Sequence, residues 1–350
     1  MIPMLLSLSR RASRAAFIII VVGSPLSAVA QTGRPTAGGP LVTLERELTR
    51  LAAASGAVVG VAVEHIETGR SVRLNGGVRF HMASTAKVAI AVQILTLVDQ
   101  GRLRLDSLVV LQPWDVYPRT YGPISGYIRP GSALTIRNIL ELMLIISDNN
   151  ATDILIRLSG GPGAVTERMR ALGLDAIRVD RTSSVAIANW LGRAEVAMEK
   201  PISPEEFGLL VARERSAIEL AALDQSFVRD PRDTATPEAM GQLLARIWKG
   251  EILTAASAGL LRDIMYRCET SPGRLKGLLP AGTRVAHKTG TIGGSTNDVG
   301  VIDLPNGQGH VVTVVFTKES TRPEGAAREA VIAQIARAVH DYFLFNRPEP

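Results

Sequence analysis

Residues 84–97 read Ser84-Thr85-Ala86-Lys87-Val88-Ala89-Ile90-Ala91-Val92-Gln93-Ile94-Leu95-Thr96-Leu97. From Ala86 onward the stretch is apolar almost all round a helical projection, the pattern of a helix enclosed by a core rather than laid on a surface. Gly101 supplies a stop after it. Such a helix has to be surrounded, so the chain must build a large core about it. Its first turn also carries chemistry. A serine hydroxyl is a poor nucleophile at neutral pH and needs a neighbour to accept its proton. A lysine three positions on lies on the same helix face, which puts Lys87 in reach of Ser84. Free N–H groups and the positive end of the helix dipole favour a developing anion at Ser84. Burial strips water from the Lys87 ammonium and lowers its pKa toward that of a usable base.

Two further strings follow in order, Ser147-Asp148-Asn149 and Lys288-Thr289-Gly290. Taken singly, each has an ordinary explanation, a helix N-cap for the first and a charged strand edge for the second. Together with Ser84 and Lys87 they supply the parts of a serine acyltransferase. The context is specific. His287-Lys288-Thr289-Gly290-Thr291 is followed by Thr296-Asn297-Asp298-Val299-Gly300, and Ser147-Asp148-Asn149-Asn150-Ala151 opens a helix. With these motifs the chain resembles the class A serine β-lactamases, within the penicillin-recognising serine hydrolases. The resemblance runs from about Leu41 to about Phe343.

The resemblance implies a role for each residue. Ser84 would attack a carbonyl to give an acyl-enzyme, with Lys87 helping to remove its proton. Ser147 would pass a proton to the departing nitrogen, and Asn149 would bind the substrate's side-chain amide. The backbone N–H groups of Ser84 and Thr291 would hold the oxyanion. Lys288 would sit near Ser147 and the ligand carboxylate, with the Thr289 and Thr291 hydroxyls bonding that carboxylate. Arg274, 14 residues before Lys288, is either a further carboxylate-binding residue or a solvated loop charge. Tyr121 is either an aromatic wall at the cleft mouth or a packing residue. No cofactor is implied, and the five histidines have no mutual ligand spacing, so no metal is expected.

One part of the family pattern is broken. Class A enzymes activate the deacylating water with a glutamate just after a loop arginine, which pairs with an aspartate at the far end of the loop. Here Arg178-Val179-Asp180-Arg181 matches the start and Arg232-Asp233-Thr234 the end, making Arg181 and Asp233 the candidate pair. Fifty-one residues stand between them, an enlarged loop over 182–231 and its flank. Closure entropy rises slowly with length, so a surface loop tolerates such an insertion. Arg181 is followed by Thr182, Ser183 and Ser184, not by glutamate. Glu195, Glu199, Glu205, Glu206, Glu214 and Glu219 lie within the insertion, and any could reach back to the water. Ile202-Ser203-Pro204-Glu205-Glu206 reads instead as a helix start with Ser203 as N-cap and Pro204 in the first turn.

The first thirty residues read as a signal peptide. Arg10, Arg11 and Arg14 form a basic region, Ala15 to Val22 is an apolar run too short to span a bilayer, and Ala28-Val29-Ala30 is a cleavage site. Gln31 is then the mature start, residues 31–40 a Gly/Pro-rich leader, and a periplasmic or secreted location is expected. Loss of those three arginines leaves 36 basic against 33 acidic residues, a formal charge of +3 in place of +6. Scattered charges without aromatic and basic interleaving exclude nucleic acid as the expected partner. Cys268 stands alone in the sequence, so it forms no internal disulfide and reads as a small buried residue.

The remaining pattern sets the architecture. Leu41 to Ala54 is helical, Val58 to Glu64 and Ser71 to Leu74 form a hairpin through Thr68-Gly69-Arg70, and strands follow at 284–288, 297–304 and 311–317 before a closing helix over 325–343. Strands at both ends with helices between them predict an α+β fold. An antiparallel sheet flanked by helices would carry an inserted all-helical part over about 84–268, within one catalytic domain of residues 41–350. A monomer without a membrane span in the mature chain is expected, acting on a small β-lactam or peptide-like substrate. A serine peptidase or esterase of the same fold, or a sensor that acylates and stalls, is the alternative.

Overall fold

The computed structural model describes residues 41–322 and 325–346; the expected signal peptide and leader lie outside the described residues. In chain order the helices are α1 (Leu41–Ala54), α2 (Lys87–Asp99), α3 (Ile136–Ile145), α4 (Asn149–Leu158), α5 (Pro162–Ala171), α6 (Ser183–Trp190), α7 (Pro204–Ala212), α8 (Ala217–Phe227), α9 (Pro237–Trp248), α10 (Ala255–Tyr266) and α11 (Ala326–Phe345). The strands are β1 (Val58–His65), β2 (Ser71–Leu74), β3 (Phe80–His81), β4 (Leu108–Val110), β5 (Ala133–Thr135), β6 (Thr234–Ala235), β7 (Val285–Ile292), β8 (Ser295–Asp303) and β9 (His310–Lys318).

Five strands make one antiparallel sheet in the order β2-β1-β9-β8-β7, so that the two ends of the sequence meet between β1 and β9. Each face of this sheet is covered. One face packs Val59, Val61, Val63 and Val315 against Leu44, Leu48 and Leu51 of α1 and Ile332, Ile335 and Val339 of α11. The other turns Ala62, Val301, Val312, Val314 and Phe316 toward α2, α9 and the rest of the helical part. Double coverage explains why β9 reads as an almost unbroken apolar run instead of alternating with polar residues. Helix α2 is buried from Lys87 to Leu97 without a break. It ends with Gly101 at φ 71°, where a residue without a Cβ adopts the left-handed turn freely.

Two features depart from the sequence expectation. Ser84 lies not in the first turn of the α-helix but in a 3-10 turn, Ala83–Ala86, that feeds directly into α2. The middle section is also not wholly helical, since it holds two short ribbons, β3 with β6 and β4 with β5. Two- and three-residue strands have too few residues to print a period-two pattern; tertiary pairing makes them.

The β3–β6 ribbon matters for the site. Strand β3 leads into the Ser84 turn, β6 follows the far end of the enlarged loop, and Met82 N–H donates to the Asp233 carbonyl at 3.0 Å. The neck of the loop and the approach to Ser84 are thus one piece of backbone structure. A buried charge network holds the neck. Arg181, with 2% of its side chain exposed, pairs through Nε with Asp233 at 2.5 Å and through Nη1 with Asp230 at 2.9 Å. Asp233 also accepts the N–H groups of Asp180 and Arg181, and its own N–H donates to Asp180. The guanidinium lies over the Phe227 ring at 5.4 Å. The predicted pair therefore forms, and it is buried. Removing the cation leaves the largely buried Asp233 without its ion-pair partner, while Asp230 keeps Arg232, at a cost of about 3–5 kcal/mol. We expect Arg181→Ala to open the loop, read as new protease cleavage between residues 182 and 231. An unchanged cleavage pattern would contradict the clamp.

Candidate active site

Ala83 takes a left-handed φ of 49°, a conformation that costs a non-glycine residue energy and turns the chain sharply just before Ser84. Ser84 itself is half-buried and lines a cleft of about 580 Å³ together with Lys87, Asn149 and Thr291. The cleft continues beneath the insertion, between Ser183, Trp190, Phe207 and Phe227. Strand β7 comes very close to the serine turn. A Cβ on Gly290 would lie 2.6 Å from the Met82 carbonyl oxygen and 3.1 Å from Ser84 N, so only glycine lets the strand approach. That contact sets the backbone of Ser84 beside that of Thr291, the two positions expected to hold an oxyanion.

Lys87, the first residue of α2, is 2% exposed. Its Nζ lies 2.7 Å from the Ser147 carbonyl oxygen, 2.9 Å from Asn149 Oδ1 and 3.0 Å from Ser147 Oγ. Burial pushes its pKa well below the usual lysine value, and the charge of Lys288 pushes the same way. A neutral amine has two hydrogens and one lone pair. The carbonyl and the amide oxygen use both hydrogens, which leaves the lone pair for a hydroxyl proton.

Lys288 approaches the same serine from β7. It has no exposed surface and donates to Ser147 Oγ at 3.0 Å and to the Thr289 carbonyl at 2.9 Å. Burial brings its pKa down to about 8, against the charges of Cys268 and Asp298, which hold it up. Ser147 sits at φ 59°, just before α4, so that its hydroxyl meets both lysines while Asp148 caps the helix. Asp148 also accepts the Ile124 N–H at 3.0 Å, and a Cβ at Gly122 would fall 2.4 Å from its Oδ2. Capping thus falls to Asp148, while Ser147 and Asn149 of the same string face the lysines. Asn149 donates through Nδ2 to the Tyr121 carbonyl at 2.8 Å.

The other sequence candidates divide. Thr289 is buried, with Oγ1 at 2.6 Å from Thr270 Oγ1, and Thr291 is exposed on the strand end. Arg274 is not a solvated loop charge. It is 5% exposed, pairs with Glu329 at 3.0 Å, donates to the Gly290 and Asn297 carbonyls and bonds Thr291 Oγ1 at 2.7 Å. Its contact with the candidate site is through the Thr291 hydroxyl. Tyr121 is a packing residue: it is 3% exposed, lies against a tilted Tyr117 ring and edge-on to Phe207, and donates to Asp153 Oδ2 at 2.5 Å.

Asp153 was not marked by the sequence reading. Four residues after Asn149 on α4, its carboxylate accepts the Ser183 N–H at 2.7 Å and the Ser184 N–H at 3.2 Å and so ties the start of α6 to α4. Burial raises its pKa, against those hydrogen bonds. All six insertion glutamates are exposed, and no glutamate is among the residues that line the cleft. Glu206 and Glu219 close capping boxes with Ser203 and Ser216, and Glu195 pairs with Arg193. Among the described residues, no group of three His, Cys, Asp or Glu side chains could hold a metal ion.

Comparison with known proteins agrees with this geometry. A family model described as the beta-lactamase enzyme family matches residues 43–343. Beta-lactamase VEB-1 of Pseudomonas aeruginosa is 30% identical over 299 residues, 83% of this chain and 87% of that protein. Extended-spectrum beta-lactamase PER-1 of the same organism is 29% identical over 308 residues, 86% and 87% of the two chains. Among solved structures, a beta-lactamase from Chitinophaga pinensis has a TM-score of 0.70 at 31% identity, covering 85% of this chain and 98% of its own. An ancestral class A beta-lactamase has a TM-score of 0.69 at 33% identity, covering 85% and 99%.

The Lys288 environment yields a pH dependence. A lysine with its pKa at about 8 is cationic below that pH and loses its charge as pH rises through it. Affinity for a carboxylate-bearing ligand should fall about tenfold from pH 7 to pH 9, whereas a neutral analogue of the same ligand should change little. Lys288→Ala should flatten the difference. Equal pH dependence for both ligands would remove Lys288 from the anchoring role.

Proposed function

The chain belongs to the class A serine β-lactamases, a family of hydrolytic enzymes, and we propose that it opens β-lactam rings through a covalent acyl-enzyme on Ser84. The observation that carries this reading is the convergence of two buried lysines on Ser147 Oγ. In the first step the neutral Lys87 amine takes the Ser84 proton and the serine oxygen bonds to the lactam carbonyl carbon. The electron pair moves to the carbonyl oxygen between the Ser84 and Thr291 N–H groups. The C–N bond then breaks, and Ser147 gives its proton to the leaving nitrogen while Lys87 restores it. Lys288, with the Thr289 and Thr291 hydroxyls, anchors the substrate carboxylate, and Asn149 meets the side-chain amide. The reach of the cleft beneath α6, α7 and α8 leaves room for a bulky acylamino group on the substrate.

Hydrolysis of the ester needs a base for water. The two aspartates at hand are engaged, Asp233 with Arg181 and Asp153 with Tyr121 and the α6 N–H groups. We assign this role to Lys87, neutral again after acylation and one helical turn from Ser84; His81, which also lines the cleft, has its Nε2 at 2.7 Å from the Phe227 carbonyl. A base whose main task is another step, without a dedicated glutamate, forfeits a factor of about 10² to 10⁴. Deacylation then limits turnover.

Stopped-flow assay should give a burst of about one product per enzyme before a slow steady state, with an adduct on Ser84 visible by intact mass. Ser84→Ala should abolish the adduct, and Ser183→Ala should keep it. Linear hydrolysis without burst or adduct would overturn the slow-release account. Labelling that survives Ser84→Ala would remove the nucleophile.

Export belongs to the same reading, supported by Arg10, Arg11 and Arg14 ahead of the apolar Ala15–Val22 run. The protein recovered from the periplasm or medium should begin at Gln31 on N-terminal sequencing. A full-length chain retained in the cytoplasm would contradict export.

A further inference from the structure

Beneath β7 lies a second set of polar groups that the acyl-transfer steps do not use. Lys288 is fully buried, yet it makes no carboxylate ion pair among the described residues; its bonds go to a hydroxyl and a carbonyl. A buried cation in that position needs a counter-charge or it sheds its proton. Asp298, buried on β8, is already used. Both its oxygens lie within 3.0 Å of His287 Nδ1, and Oδ2 also accepts the Leu275 N–H. The other nitrogen of His287, Nε2, is buried and meets no oxygen or nitrogen partner among the described residues; the group within reach of this ring is the Cys268 thiol.

The remaining group that can carry a negative charge is Cys268, just past the end of α10. It is 4% exposed, and its Sγ lies 3.2 Å from Thr270 Oγ1, which in turn lies 2.6 Å from Thr289 Oγ1. The charged groups that act on it are His287 and Lys288 on β7; these in turn face Asp298 on β8 and Arg274 on the loop between α10 and β7, which also carries Lys276. Lys276 donates to the Cys268 carbonyl at 3.1 Å. We propose that Cys268 is a positioning residue that works as a buried thiolate, supplying the counter-charge that keeps Lys288 cationic and, through Thr270, fixing the Thr289 hydroxyl beside it. The proposal rests on the reading of Lys288 as the carboxylate anchor.

The electrostatics agree in sign. Burial alone would raise the thiol, but His287 and Lys288 bring it down to about 7. Burial alone would lower His287, but the Asp298 and Cys268 charges raise it to about 9. Thiolate and imidazolium thus stabilise each other near neutral pH, and the thiolate holds up Lys288 next to them.

The chain has one cysteine, so the thiolate can be read alone. The absorbance near 240 nm of the substrate-free protein, minus that of Cys268→Ser, should titrate near pH 7. For a carboxylate-bearing β-lactam, Cys268→Ser should raise KM about fivefold at pH 8, the effect expected if Lys288 loses about one pH unit of basicity. The kcat should change little. Cys268→Asp, with a fixed negative charge, should restore the KM. A thiol that titrates only above pH 8.5, or a KM profile unchanged in Cys268→Ser, would overturn the proposal. If the thiolate titrates near pH 7 but no β-lactam reacts at all, the thiolate assignment stands and the acyl-enzyme reading fails.

Discussion

Two buried lysine side chains share one hydroxyl, Ser147 Oγ, and the rest of the site is arranged about that constraint. Two ammonium groups at hydrogen-bond distance from one oxygen repel each other strongly where the effective dielectric is low. The arrangement is stable when at least one is neutral. Lys87 is the one with its hydrogens committed to the Ser147 carbonyl and Asn149 Oδ1, and burial pushes its pKa well below the usual lysine value. The buried helix that holds Lys87 at its first residue therefore acts, together with the nearby charge of Lys288, as a deprotonating device.

Several distant parts of the chain are needed to maintain this. Gly290 lets β7 close on the serine turn, and Asn297 on the next strand donates to the His81 and Met82 carbonyls just before it. The loop neck pairs with the same approach segment through β3 and β6. Strain at Ala83 and Ser147, both at positive φ, is held by these contacts. The insertion forms three short helices, capped at their starts by Thr182, Ser203 and Ser216. Its glutamates are exposed and its inward aspartates are engaged, Asp224 with Trp190 and Asp230 with Arg181 and Arg232, so the enlargement extends the cleft without adding a dedicated base to it.

Features that depend on local chemistry could be read from the sequence. The apolar run gave α2, Thr68-Gly69-Arg70 gave the β1–β2 hairpin, and Ser203-Pro204 gave the start of α7. The Arg181–Asp233 pair was also legible, because the resemblance to class A enzymes implies an arginine and an aspartate paired across the two ends of this loop. Features that depend on packing between remote segments were not. Arg274 could be read either as a carboxylate-binding residue or as a loop charge, because nothing local shows that the loop folds under Thr291 and against Glu329. Tyr121 could not be separated from a cleft wall until Asp153 was seen to take its hydroxyl. The link from Cys268 through Thr270 to Thr289 exists only because the segment after α10 runs beneath β7.

The charge state of Lys87 is the centre of the account, and it can be measured without any substrate. Nitrogen-15 labelling of lysine side chains, with Lys87→Arg to assign the resonance, would follow the Nζ shift of Lys87 across pH. The account predicts a titration well below the ordinary value of about 10.4, so that the amine is largely neutral where the enzyme works. A Lys87 that remains an ammonium up to that ordinary value would contradict it.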